Sequence, residues 1–289
     1  MNLIALILGL VLERAATRLL HLRALSWLDG WFGLGAARMR AVPAPLAFPV
    51  AFLVVLLPAL PVAWVAWAFH DVLAGLPYIA FATVVLFFSL GPRDLLAQVD
   101  DWLEARARGD GAAADDIARR ICETDLAPHS VGERGLEAAI LVQANHRIFG
   151  VVFWFMLLGP AGAWAYRVAD LFRRYVHRTG QGGAATGASE LLFGIVTWLP
   201  ARALALSYAV AGSFDDAFED WRGYYQRTSA GFFRVSENIV AAAGIGAIRR
   251  RCPEPGGVEA VAATRGLLRR ALYIWITVIA ALTLVGWMP

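Results

Sequence analysis

The chain has no lysine: all 26 of its basic residues are arginine, set against 23 acidic ones. That absence excludes a phosphate-binding loop of the GxxxxGK[ST] kind and any chemistry running through a lysine Schiff base. An anion held by this protein must be held by arginine forks or by helix N-termini. Cysteine is almost absent as well. Cys122 and Cys252 stand far apart in polar segments, which argues against both a disulfide framework and a cysteine metal quartet. The five histidines, His21, His70, His129, His146 and His177, fall into no HExxH or H-x3-H spacing, so neither a metal nor a cofactor is expected. Charge of either sign is scarce, at 17% of residues, where a soluble domain carries about a quarter. The net charge of +3 is not gathered into a basic stripe with stacking aromatics, so no nucleic-acid partner is expected.

What fills the chain instead is apolar. Hydrophobic residues make up 59% of the 289 positions, and eleven are tryptophan, whose indole anchors at the headgroup level of a bilayer. The mean hydropathy is +0.57. These features predict an all-α, polytopic membrane protein lodged in a lipid bilayer, read as one integral membrane domain over 1–289. Spans are expected at 2–22, 45–69, 72–90 and 271–287; the second runs 25 residues without a charge, with Pro58 and Pro61 as kinks. Leu25, Leu28 and Phe32 share one helical stripe over 22–34, expected to lie in the interface plane. The segments 148–169 and 190–212 are apolar but interrupted, at Gly159-Pro160 and Leu199-Pro200, and are expected to be broken or re-entrant helices. Residues 93–147 and 213–267 alternate charges with Leu, Ile and Ala at helical spacing, with GDGAAADD as a loop in the first. Seven arginines in 93–147 and five in 13–44 place both segments in the cytoplasm by the positive-inside rule, and 213–267 joins them. The expected location is a bacterial inner membrane, crossed several times.

A few polar residues stand where burying them is costly. Arg202, between WLPA and ALALSYAV, costs at least a few kcal/mol near mid-bilayer unless paired or wetted. It either snorkels to headgroups or meets a carboxylate, with Glu13, Asp170 and Glu190 as candidates. Glu13-Arg14 directly follow an apolar helix and read as a helix-end pair or as part of a site. Asn145-His146-Arg147 sit where a helix enters the membrane, either as a polar cap or as a cluster that, with Arg167 and Arg202, binds a phosphate or carboxylate through planar forks. DDWLEARARGD and FDDAFEDW read as solvated helix faces.

Asn145–Arg147, GVVFWFMLLGPAGAWAYR at 150–167 and WLPAR at 198–202, in that order and spacing, resemble the AmpE family of inner-membrane proteins. That family is described as a signalling modulator of β-lactamase induction, linked to the cell-wall amidase and peptidoglycan recycling. It is in turn similar to the CobD/CbiB membrane proteins, which form an amide between adenosylcobyric acid and an aminopropanol or its phosphate. The CobD-like ENxxDG pattern meets Asn145 in place of its acidic residue and Phe149 in place of its aspartate, while its AYK meets Ala165-Tyr166-Arg167 and its WIPAR is almost intact as Trp198–Arg202. The carboxylates that would position a metal or activate an acyl group do not carry over.

The resemblance implies a membrane sensor or accessory protein in β-lactam response and cell-envelope signalling, with no catalytic residue assigned. Asn145, Arg147, Tyr166, Arg167, Asp170, Trp198 and Arg202, with Glu13 and Arg14, are expected to line one polar cavity for an anionic small-molecule or lipid ligand. The rival is an amide-forming enzyme or related transferase that uses Asp170 or Glu13 as a substitute carboxylate. A third reading is a scaffold whose cytoplasmic helices recruit a soluble protein partner.

Overall fold

A computed structural model of the chain describes residues 2–15, 25–70, 72–91, 94–122, 131–227, 233, 235–252 and 256–285. Among the described residues every regular element is helical. In chain order these are α1 (Asn2–Ala15), α2 (Asp29–Ala41), α3 (Ala44–Phe69), α4 (Leu76–Ser89), α5 (Leu95–Ala107), α6 (Gly111–Cys122), α7 (Val131–Ala144), α8 (Gly150–Arg178), α9 (Ala184–Ala211), α10 (Phe214–Arg227), α11 (Ser236–Ile248) and α12 (Gly257–Leu284). A π-helical turn, Asn145–Phe149, joins α7 to α8. Four helical runs, 44–69, 135–178, 184–211 and 257–284, are long and apolar enough to cross a membrane, and the protein is a helical membrane protein.

Where the sequence suggests one domain, packing divides the chain into two compact units. One gathers residues 1–92, 150–197 and 280–289, the other 93–149 and 198–279.

In the first unit, α3 and α4 pack on α8 and α1 packs on α4. Pro58 lies inside α3 and has no N–H for the carbonyl of Val54 four residues back. The indole Nε1 of Trp31, on α2, donates to that carbonyl at 2.9 Å. The same device recurs on α9, where Pro200 frees the carbonyl of Val196 and Trp154 Nε1 donates to it at 2.8 Å. With its freed carbonyl satisfied, α9 runs on as one 28-residue helix, and no turn occurs at Leu199-Pro200. The expected break there is absent.

The interruption at Gly159-Pro160 has the opposite outcome. Gly159 takes φ 66° and ψ −157°, outside helical geometry and open to glycine at no steric cost. The corner is sharp. A Cβ on Gly162 would stand 2.4 Å from the carbonyl oxygen of Trp154, and a Cβ on Gly150 would stand 2.3 Å from the hydroxyl of Tyr166. In a straight helix those pairs would be roughly 12 and 24 Å apart.

Other differences are local. Leu25, Leu28 and Phe32 are buried instead of facing lipid, with the Phe32 ring 5.5 Å from that of Phe172 and 5.8 Å from that of Tyr175. Residues 72–75 form a 3-10 turn, which leaves α4 only 14 residues. That is roughly 21 Å, short of the hydrocarbon core. The last helix starts at Gly257, earlier than the apolar run, because GVEAVAATRGLLRR continues the helical pattern.

In the second unit, Leu95, Val99, Ile121, Ile140, Leu141, Leu204, Tyr208 and Leu267 form a continuous core. Asp94 caps α5 by accepting from the amides of Leu96 and Ala97. The expected GDGAAADD loop shrinks to a turn at 108–110, because the Asp110 carboxylate accepts from the amide of Ala113 at 3.0 Å and starts α6. Tyr208 donates from its hydroxyl to the Leu141 carbonyl at 3.2 Å, tying α9 to α7.

Candidate functional site

Beyond its corner, α8 carries Arg167, Asp170, Arg173 and Arg174, a spacing that puts the four on neighbouring positions of one helical face. Asp170 is fully buried. Arg167 Nη1 donates to its Oδ2 at 2.9 Å, Arg174 Nε to its Oδ1 at 3.0 Å, and Arg173 Nη2 lies 3.8 Å from Oδ1. Arg167 and Arg173 are themselves buried. Phe193 of α9 closes one side: the Arg173 guanidinium stands 4.1 Å from its ring centre and the Tyr166 ring 5.7 Å. Further along, His177 Nε2 is 3.0 Å from Glu190 Oε1. Among the described residues three arginines thus surround the one carboxylate of Asp170, in an interior where each guanidinium presents a planar fork suited to carboxylate or phosphate.

The second unit holds the rest. The π turn brings Asn145, His146, Arg147 and Phe149 into the interior; such bulges are frequent at functional sites. Arg147 donates from Nε to Gln143 at 2.8 Å and from Nη1 to Gln98 at 2.6 Å. His146 Nε2 lies 3.4 Å from Glu237 Oε1. The amide of Asn145 is buried with neither of its polar atoms hydrogen-bonded among the described residues. Phe149 packs its ring 5.2 Å from that of Trp275. Arg202, half-buried, lies 4.2 Å over the ring of Trp198 and donates to the Trp198 carbonyl at 2.9 Å, to Ser236 Oγ at 3.2 Å and to the Tyr225 hydroxyl at 2.7 Å. Ser236 and Glu237 are consecutive, so Arg202 and His146 both reach the first turn of α11.

The predicted residues therefore gather in two groups: Tyr166, Arg167 and Asp170 in one unit, Asn145, Arg147, Trp198 and Arg202 in the other. Glu13 and Arg14 lie outside the described residues as far as their side chains are concerned. Of the carboxylates suggested for Arg202, Asp170 engages Arg167 and Arg174 and Glu190 faces His177, while the Glu13 side chain lies outside the described residues. Arg173 and Arg174 were missed as site residues, although their i+3 and i+4 spacing from Asp170 was the signal. Ser236, Glu237 and Tyr225 carry no signal in the sequence that links them to Arg202 or His146.

The family described as Regulatory signalling modulator protein AmpE matches this chain over residues 1–288. The chain belongs to the AmpE family. The resemblance read from Asn145–Arg147, GVVFWFMLLGPAGAWAYR and WLPAR is borne out. Among curated proteins, the chain is similar to Cobalamin biosynthesis protein CobD of Chromobacterium violaceum, 30% identical over 203 residues, which is 65% of this chain and 59% of the relative. It is also similar to Cobalamin biosynthesis protein CobD of Stutzerimonas stutzeri, 27% identical over 172 residues, 57% of this chain and 55% of that protein. This AmpE-family chain thus spans less than two thirds of the length of the CobD relatives it matches. No solved structure matches it.

Proposed function

We propose that this AmpE-family protein is a multi-pass inner-membrane sensor or accessory protein in β-lactam response and cell-envelope signalling, and that it binds an anionic ligand at the arginine cluster of α8. The observation behind the reading is the convergence of Arg167, Arg173 and Arg174 on the buried carboxylate of Asp170. A phosphate or carboxylate entering such a cluster meets charge-assisted donors in a medium of low dielectric, where each counts for more than in water. The family's printed role as a regulatory signalling modulator supplies the biological context.

The test pairs a cell with a tube. In a strain lacking the protein, induction of β-lactamase by a β-lactam is followed with the wild-type chain or Arg173→Gln restored. In detergent, thermal stability is followed on adding phosphatidylglycerol or inorganic phosphate. The reading expects altered induction in the null strain, restored by wild type only, and an anion-dependent rise in the wild-type melting temperature that Arg173→Gln loses. Induction indifferent to the gene would end the signalling reading, and an anion effect kept by Arg173→Gln would end the site.

A second reading, an amide-forming membrane enzyme of the CobD kind, is favoured by the 30% identity to the Chromobacterium protein. Against it, Phe149 occupies the aspartate position of the CobD-like motif, and its ring is spent on Trp275. Incubating the purified chain with adenosylcobyric acid and aminopropanol decides: a corrin amide lost in Asp170→Asn would favour the enzyme.

A further inference from the structure

The flank of α10 that carries Phe214, Phe218 and Tyr225 is exposed, while Trp221, on the same line, packs inward against Ala205, Val235, Ile239 and Ala243. These four recur at i, i+4, i+7 and i+11, within one narrow stripe of the helix. Phe214, Phe218 and Tyr225 are 49%, 51% and 38% exposed. The Phe214 and Phe218 rings stack 6.1 Å apart and Trp221 meets Phe218 at 6.4 Å, so the stripe is a continuous aromatic ribbon. A second flank is packed: Ala217 is fully buried, Asp220 pairs with Arg249, and Arg250 Nε donates to Asp216 at 3.0 Å. The third flank, with Asp215, Glu219, Arg222 and Gln226, is exposed and polar.

The ribbon continues a surface that already faces apolar surroundings. On the preceding helix, α9, which is long and apolar enough to cross a membrane, Leu206 and Val210 are 52% and 61% exposed. Phe214 follows Val210 by four residues. Between them Gly212 lies against the end of α11, where a Cβ would come within 2.4 Å of the Ala247 carbonyl oxygen, and the Ser213 amide donates to that same oxygen at 3.0 Å. α10 therefore leaves the end of α9 at a fixed corner. At that depth a helix that is packed on one flank, charged on another and aromatic on the third has one matching solvent, the headgroup layer.

We propose that α10 is an interfacial helix, seated in the headgroup region of the bilayer by Phe214, Phe218 and Tyr225. Its four acidic residues and two arginines give it no attraction to anionic lipid, so the seat is aromatic and does not depend on lipid charge. Because Tyr225 accepts from Arg202 at 2.7 Å, the seated face also holds one end of the Arg202 fork.

The full chain with Cys122→Ala and Cys252→Ser, carrying a nitroxide at Phe218→Cys or at Gln226→Cys, is placed in phosphatidylcholine nanodiscs. Collision rates with oxygen and with a water-soluble nickel chelate are compared. The expected result is a shift toward oxygen at 218 and toward nickel at 226, unchanged when phosphatidylglycerol is added. A 218 label as open to nickel as the 226 label overturns the proposal and leaves the face to a soluble protein. Independently of any substitution, the native chain is irradiated in nanodiscs doped with a diazirine-bearing lipid. Adducts on the peptide spanning 214–225 support the seat; adducts on α3 and α12 with none on that peptide overturn it.

Discussion

Asp170 is the residue on which the first unit's polar interior turns. It is fully buried, and three guanidiniums lie within 4 Å of it. Removing one partner of a buried charge pair costs about 3–5 kcal/mol, because the other charge stays buried. Asp170→Asn should therefore lower the unfolding midpoint in detergent far more than Arg174→Gln, whose site is more open; equal losses would mean that the carboxylate is not central. A second residue-scale prediction concerns acid. The Ser213 hydroxyl, and after it Arg250 and Arg249, hold the Asp216 carboxyl below its ordinary value of 3.8, against the opposing pull of burial. A depressed carboxylate stabilises the fold above its unfolded pKa, and that contribution is lost as pH falls through the folded value. The stability gap between wild type and Ser213→Ala should be widest near neutral pH and should close in acid below 3.8. A gap that does not change with pH would sink the assignment. The partners of Asp170 were readable from sequence because helical spacing fixes them. Those of Arg202 were not, since Tyr225 and Ser236 lie 23 and 34 residues further on and meet it only through tertiary packing.

At the scale of elements, two prolines and two indoles explain why these helices run as they do. Sequence shows Pro58 and Pro200 and so the loss of a backbone donor at each; it does not show what repairs the loss. Trp31 and Trp154 sit 23 and 42 positions from the carbonyls they satisfy, and an indole in an apolar run reads locally as an interfacial anchor. The repair satisfies the carbonyl freed by Pro200, so the course of α9 was beyond local reading. The dipeptide Gly159-Pro160, by contrast, carries its own cause, because glycine opens the φ 66° that the corner needs. The repair can be measured. Trp154→Phe should cost about 1 kcal/mol, the scale of a hydrogen bond inside a membrane protein. In a Pro200→Ala background the backbone N–H returns to Val196, and the cost of Trp154→Phe should fall toward that of an exposed substitution. A double-mutant cycle with no coupling between positions 154 and 200 would show that the indole bond does not compensate for the proline.

For the whole molecule the open quantity is which segments share a side of the bilayer. The second unit constrains it without any appeal to charge. α7 packs on α11, the Glu137 carboxylate accepts from the Gly256 amide at 2.8 Å, and Arg265 Nη1 reaches Asp100 at 2.5 Å. The polar helices before α8 and those after α9 are therefore packed together and belong to one side, which makes the number of complete crossings between them even. Arginine counting predicts that this side is the cytoplasm. Zero or two crossings remain for α8 and α9, and Arg173, Arg174 and Arg178, just before the turn at Gly180, weigh for a cytoplasmic turn and hence zero. Single cysteines at Asp115, Gln226 and Gly182, all exposed, should then react with a membrane-impermeant maleimide in inside-out vesicles and stay unlabelled in intact cells. Labelling of Gly182 from outside, with Asp115 and Gln226 still inside, would make both helices full crossings and would place the buried Arg167, Asp170 and Arg173 at membrane depth. Opposite sides for Asp115 and Gln226 would contradict the contacts of Glu137 with Gly256 and of Asp100 with Arg265.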